Sequence, residues 1–267
     1  MGRIGERFDR LRAAGDKALV PFVTAGDPDL GTTAELVLAM ADAGADAIEL
    51  GVPFSDPTAE GPTVQRASER ALAAGTTLRR VLALVKQIRP QVGIPLLLMG
   101  YANPFYALGA DGFVQEAAAA VVDGVICPDL PPEDGADLYG ALGKAGIDGV
   151  LLAAPTTTPA RLALLARETH GFLYYVSLTG VTGARQALAS GIEAGVRAVR
   201  ALSEVPVCVG FGVSTPAQAA EIGAFADGVV VGSAIVDRIE RAQSRDAAIG
   251  DVARFVAELK APLRARR

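Results

Sequence analysis

The sequence predicts an α/β protein: a TIM (β/α)8 barrel with an extra N-terminal helix, forming one domain over residues 1–267. Two observations carry this. Eight short apolar runs alternate with helical stretches over about 250 residues, the length and grammar such a barrel requires. No stretch of linker-like composition divides the chain. A doubly wound open sheet is the runner-up, but the first strand leads into TAGDPDL, which lacks the glycine-rich GxGxxG turn of that fold.

Taken in order, IGERFDRLRAAG (4–15) reads as a helix covering the barrel bottom, followed by the first strand, ALVPFVT (18–24). Four further strands share one pattern, x-Asp-small and then three mostly apolar residues: ADAIEL (45–50), VDGVIC (122–127), IDGVLL (147–152) and ADGVVV (226–231). Each follows an Ala-rich stretch and three have Gly just upstream, as expected for a helix end, a short loop and a buried parallel strand. IPLLLMG (94–100), GFLYYVS (171–177) and VPVCVGFG (205–212) complete the eight. Thr32 to Glu35 reads as a capping box opening the first crossover helix. Helical patterns follow at 78–89, 112–121, 137–146, 159–169, 192–202 and 215–225, and 246–260 closes the chain.

Composition limits the function classes. Twenty-five basic against 30 acidic residues give a net charge of −5, which argues against a general nucleic-acid surface. The N-terminus MGRIGERFDR lacks the apolar core of a signal peptide. The uncharged run 92–110 is long enough to span a bilayer, but Pro95, Asn103, Pro104 and three glycines make it strand, loop and turn. Cys127 and Cys208 lie in apolar runs and read as buried reduced thiols of a cytoplasmic protein.

In a barrel the chemistry sits at the C-terminal strand ends and the loops beyond them. Strand side chains alternate, so Ile48 and Leu50 face the helices and Glu49 faces the barrel mouth. No Lys or Arg occurs in any predicted strand, so a structural ion pair inside the barrel does not account for Glu49. Glu60 lies in a loop running from Gly51 to about Pro62, longer than the usual βα connection, and is either functional or solvated. Asp56 and Asp129 are further loop candidates. Strand seven ends in GFG (210–212) and strand eight in GSA (232–234) before a short helix, where barrels often hold a phosphate. Ser233 can add a hydroxyl there, and SLTGVTGAR (177–185) has the Gly and Thr content of a mobile lid. Phe22, Tyr101, Tyr174 and Phe211 lie at or near strand ends, where they line an apolar slot or belong to the core.

The only histidine, His170, precedes strand six on the bottom side, which disfavours His-based metal sites and triads. Lys17, Lys86, Lys144 and Lys260 all miss the strand C-termini, which disfavours a Schiff-base aldolase. What remains is metal-free carboxylate chemistry on a phosphorylated substrate.

FVTAGDP (22–28), ELGVPFSDP (49–57), GYANPF (100–105), PDLPPED (128–134), GVTGAR (180–185), GFGVS (210–214) and GSAIV (232–236) together resemble the tryptophan synthase α subunit family over nearly the whole chain. The resemblance implies retro-aldol cleavage of indole-3-glycerol phosphate to indole and glyceraldehyde 3-phosphate. It further implies a β-subunit partner in an α2β2 assembly that binds pyridoxal phosphate and receives the indole, this chain needing no cofactor of its own. It makes Glu49 the main acid/base group and gives the loop acid the role of stabilising charge at the indole N–H. Gly183, Gly212, Gly232 and Ser233 match the phosphate-binding positions, Thr182 the lid threonine, and Asp56 the loop that meets the partner. The chain departs from the family pattern PFSDPxADGP in carrying Glu60 where the family has aspartate. Two alternatives stay open: a catalytically weakened subunit that binds ligand and mainly activates its β partner, and another phosphosugar barrel enzyme.

Overall fold

The computed structural model describes residues 2–176, 185–210 and 212–265. Eight parallel strands pair in sequence order and β8 closes back on β1. The strands are β1 (Ala18–Thr24), β2 (Ile48–Gly51), β3 (Leu96–Met99), β4 (Gly124–Ile126), β5 (Asp148–Ala153), β6 (Leu173–Val176), β7 (Val207–Gly210) and β8 (Gly228–Val231). The helices are α1 (Arg3–Ala14), α2 (Leu30–Asp42), α3 (Pro62–Ala73), α4 (Leu78–Ile88), α5 (Ala102–Tyr106), α6 (Ala110–Ala119), α7 (Ala136–Ala145), α8 (Pro159–Glu168), α9 (Arg185–Arg200), α10 (Pro216–Gly223), α11 (Ser233–Arg241) and α12 (Arg245–Lys260).

Strand alternation sorts the core into two layers. Leu19, Val23, Ile48, Leu50, Leu96, Leu98, Val207 and Val209 face outward and pack against the helices. Ala18, Val20, Ala47, Leu97, Ile126, Val150, Tyr174, Cys208 and Val230 face inward. From below, α1 places Ile4, Phe8 and Leu11 against that inner set, with the Phe8 and Phe172 rings 5.8 Å apart. Each such apolar side chain contributes about 1.5–3 kcal/mol by leaving water. Both cysteines are buried and free.

The x-Asp pattern acquires a physical meaning at the bottom rim. The Leu19 N–H, opening β1, donates to Asp46 Oδ2 at 2.7 Å, just ahead of β2. Leu96 N–H of β3 donates to Asp123 Oδ2 at 2.8 Å, ahead of β4. Val207 N–H of β7 donates to Asp227 Oδ2 at 3.0 Å, ahead of β8. The fourth member breaks the pattern: among the described residues Asp148 accepts no strand N–H, and burial pushes its carboxyl up. Thr169 takes that place instead, its Oγ1 accepting the Leu151 N–H of β5 at 3.0 Å. These aspartates also meet cations, Arg7, Arg3 and Arg200 on the other oxygen and Lys260 and Arg89 on the same Oδ2. Arg7 and Lys260 reach Asp46, Arg3 and Arg89 reach Asp123, and Arg200 reaches Asp227.

Helix ends show why glycine precedes some of these aspartates. Gly44 and Gly146 adopt φ of 105° and 72° between helix and strand. Val121 fills the equivalent position before Val122 and Asp123 at φ 59°, a left-handed conformation a β-branched residue adopts only with strain.

Two helices were not legible in the pattern, and one cap differs. The predicted capping box at Thr32 to Glu35 is displaced: α2 begins at Leu30, and Asp29 is its cap, accepting from the Thr32 N–H and hydroxyl, both at 2.8 Å. A carboxylate at Asp29 is the stronger acceptor, and it draws the helix start forward. Helix α3 occupies residues 62–73, which the sequence leaves unassigned, and α5 forms one short turn from Ala102 in the GYANPF motif to Tyr106 just past it.

Candidate active site

Glu49 is the second residue of β2, in register with Phe22 on one side and Leu97 on the other. Ile48 and Leu50 do point outward, so Glu49 points into the barrel. It is fully buried, and neither carboxylate oxygen has a hydrogen-bond partner among the described residues. Burial, reinforced by the charge of Glu60, pushes its carboxyl up to about 8. A buried, unpartnered carboxylate keeps its proton rather than carry an unsolvated charge.

Glu60 is brought to the same place by the loop between β2 and α3. Its N–H donates to Pro57 O at 3.0 Å, and its carbonyl accepts from Gln65 Nε2 of α3 at 2.9 Å. The side chain is half-buried in a tight cavity with Phe22, Thr24, Val64, Met99 and Tyr101. Burial pushes its carboxyl up to about 7. Glu60 is therefore not a fully solvated loop acid. Of the two, it ionises first, and its charge then holds the proton on Glu49.

Tyr101 closes the side of this cavity. Its Oη accepts the Ala59 N–H at 2.9 Å, and its ring stacks on Phe54 at 5.4 Å. The contact tethers the Glu60 loop to the end of β3. Thr24 is a residue that sequence reasoning does not single out. Its hydroxyl is buried in the Glu60 cavity without a partner among the described residues. The signal was available, since Thr24 shares strand parity with inward-facing Phe22. Gly51 makes room for Phe22, because a Cβ there would approach the Phe22 ring to 2.5 Å. Tyr174 lies deeper in the barrel; burial first and then the charge of Glu49 raise its phenol.

The predicted phosphate position falls in a second pocket. Gly212, Ser214, Ser233 and Ala234 line one cleft, and Thr63 at the start of α3 forms part of its wall. Gly212 has φ 55° and so needs glycine. Ser233 is the first residue of α11, and Gly232 is its cap with no side chain closing the helix end. The first-turn N–H groups of such a helix suit an anion. Gly232 packs on Phe22, which lines the carboxylate cavity, and its neighbour Ser233 lines the cleft.

Asp56 is exposed and accepts from its neighbour Ser55 at 2.5 Å. Asp129 braces loop three, accepting the Ala102 N–H at 2.9 Å and the Cys127 thiol at 3.3 Å. Thr182, Gly183 and Phe211 lie outside the described residues. Among the described residues no three His, Cys, Asp or Glu side chains converge as metal ligands, and no helix is long and apolar enough to cross a membrane.

A closed (β/α)8 barrel with two carboxyl groups of raised pKa at its mouth and a helix N-terminus beside them defines the class of barrel enzymes suited to acid–base chemistry. Residues 8–264 match the family described as Tryptophan synthase alpha chain. The chain is 52% identical over 260 residues to the tryptophan synthase alpha chain of Geobacter sp. strain M21, covering 97% of each. It is 50% identical to that of Geobacter sulfurreducens, covering 97% of this chain and 98% of the relative. Its fold superposes on tryptophan synthase subunit alpha from Legionella pneumophila with a TM-score of 0.90, at 37% identity and 98% coverage of each. Tryptophan synthase from M. tuberculosis gives 0.90 at 36% identity and 99% coverage of each. The chain belongs to the tryptophan synthase alpha chain family, whose reaction is the cleavage of indole-3-glycerol phosphate. Membership makes it a carbon–carbon lyase and sets aside the other phosphosugar barrels.

Proposed function

We propose that Glu49 and Glu60 divide the retro-aldol cleavage between them, Glu49 moving the proton and Glu60 stabilising charge. The observation that carries this is Glu49: fully buried, aimed into the barrel, and without a partner for either oxygen among the described residues. Protonated Glu49 delivers its proton to indole C3, turning the ring into an indoleninium cation. The resulting carboxylate removes the proton from the glyceryl hydroxyl next to the scissile bond. That oxygen's electron pair forms the aldehyde, the carbon–carbon bond breaks, and its electrons return to the ring. Indole and glyceraldehyde 3-phosphate leave, and Glu49 ends as it began. Glu60, ionised, faces the cationic indole N–H.

Gly212, Gly232 and Ser233, with Gly183, hold the phosphate in this reading, and Thr182 closes toward the loop acid. Phe22, Tyr101, Tyr174 and Phe211 line the indole slot. The chain works in the cytoplasm without a cofactor of its own. It pairs as α2β2 with a β subunit that binds pyridoxal phosphate and takes up the indole, and the Asp56 loop meets that partner.

Single-turnover indole release from indole-3-glycerol phosphate, with and without a β subunit, tests the reading. Glu60→Gln is expected to lower kcat on the order of 10²-fold, since a positioned charge contributes a few kcal/mol and each 1.36 kcal/mol is about tenfold. Glu60→Asp restores the family residue and keeps the charge, and should stay within about tenfold of wild type. Full activity in Glu60→Gln removes Glu60 from the chemistry. Indole release by Glu60→Asp but not by wild type makes this chain the weakened, ligand-binding subunit instead.

A further inference from the structure

Helices α3 and α11 both begin at the site. Helix α3 starts at Pro62, two residues after Glu60, and α11 starts at Ser233 in the anion cleft. Beneath their first turns, Val64 and Ala67 of α3, Val236 of α11 and Phe22 form a small apolar cluster of their own, separate from the main core. Farther along, four charged side chains join the two helices to the loop after β1. Arg70 of α3 forks onto Asp27 through Nε and Nη2, both at 2.8 Å. Its remaining Nη1 reaches Glu240 of α11 at 2.9 Å. Arg66, one turn back on α3, forks onto both oxygens of Glu240 at 2.8 and 2.7 Å.

This geometry differs from a scattered surface ion pair, which contributes little. Both arginines are bidentate, and Asp27 is buried at 2% exposure, fixed by its own N–H to Thr24 O. Hydrogen bonds from the two arginines, Arg66 first, hold the Glu240 carboxyl down at about 2. The network joins the loop after β1 to the body of α3 and the last turn of α11; none of its four side chains lines the carboxylate cavity or the cleft, and Asp27 meets the cavity through its backbone bond to Thr24.

We propose that Asp27, Arg70, Glu240 and Arg66 form a positioning clamp that fixes the start of α3, and with it Glu60, against the helix whose N-terminus faces the phosphate. The inference rests on Glu60 serving in the reaction as proposed above. Arg70 and Glu240 are positioning residues, since they act through Glu60 and not on the substrate. A substrate phosphate seated on α11 is then in register with the indole ring under Glu60.

Glu240→Gln keeps the shape of the side chain and removes its charge. It is measured alone and in the Glu60→Gln background, following kcat and KM for indole-3-glycerol phosphate together with Tm. Alone it is expected to lower kcat about tenfold with KM changed less than about threefold, in line with the cost of a small misplacement of a reacting group. In the Glu60→Gln background the same substitution should cost less than about twofold, because there is no longer a carboxylate to position. A role confined to holding the fold would give the same loss in both backgrounds, tracking Tm, and would overturn the clamp while leaving Glu60 in place. An unchanged kcat for Glu240→Gln would overturn it as well. Full activity of Glu60→Gln alone would remove the reading of Glu60 and the clamp together.

Discussion

The two rims of the barrel bury carboxyl groups to the same degree and treat them in opposite ways. At the bottom, Asp46 is 1% exposed and every direction around it is filled: a strand N–H, Arg7 and Lys260. At the mouth, Glu49 is 0% exposed and no group among the described residues answers it. A buried carboxylate with a complete set of donors is a structural member, strongly destabilising to break. A buried carboxyl without them is held neutral and available, which is a disposition toward proton transfer and not toward stability.

The contrast can be broken at either rim. The largest separation should come from the isosteric pair Asp46→Asn and Glu49→Gln. Asp46→Asn leaves Arg7 and Lys260 facing a neutral amide, and should cost about 3–5 kcal/mol of stability in urea unfolding with kcat of the folded enzyme nearly kept. Glu49→Gln should lower kcat at least 10²-fold and leave the unfolding midpoint equal or higher. Reversal of either result dissolves the distinction between the rims.

A second test uses pH. Glu49 holds its proton to about 8 in the folded chain, against an ordinary carboxyl near 4.5. The native state therefore binds more protons than the unfolded chain across that window. The contribution is fully present below about 4.5 and is lost as pH rises through about 8. Glu240, held at about 2, has the opposite sign: its contribution is present above about 4.5 and is lost as pH falls toward 2. Thermal unfolding should show stability declining from pH 5 to pH 9, and Glu49→Gln should flatten that decline. Activity follows the same groups. The proposed reaction uses Glu49 protonated and Glu60 ionised, so kcat/KM should be bell-shaped with limbs near 7 and 8, macroscopic values of the coupled pair. Glu60→Gln should remove the acidic limb.

The smallest effect sharpens the bottom rim alone. Val121 occupies, at φ 59° and 38% exposed, the position that Gly44 and Gly146 fill elsewhere. Val121→Gly should stabilise by about 1 kcal/mol, since the left-handed strain of 1–2 kcal/mol is partly offset by glycine's freedom in the unfolded chain. That corresponds to roughly 2–4 °C in Tm for a chain of this size. No gain in Tm would mean the strain is absorbed elsewhere.

What the sequence discloses follows from how each element is stabilised. Strands buried on both faces read as continuous apolar runs, so all eight were legible, and alternation around Glu49 gave its direction. Helix α3 was not legible because PTVQRASERALA is largely polar and follows a Pro-rich loop; its register is set by Arg66 and Arg70 reaching distant acids. The burial of Glu60 likewise depends on Tyr101, 41 residues away, and no local pattern encodes that contact. Thr169 was missed for a related reason: a hydroxyl substituting for a carboxylate leaves the x-Asp pattern intact at Asp148 while the hydrogen bond moves elsewhere.

The four bottom contacts pair the strands as β1 with β2, β3 with β4, β5 with β6 and β7 with β8, and skip the junctions between those pairs. The barrel is thus fastened as four quarters, each a two-strand unit that carries its own latch. A chain divided near residue 93, between α4 and β3, would leave whole quarters on each fragment, with every latch intact. Division near residue 44 would put Leu19 and Asp46 on different pieces and ask the latch to form between molecules. Fourfold modularity of this kind, invisible in the evenly closed sheet, marks where the molecule comes apart into self-consistent parts and where it does not.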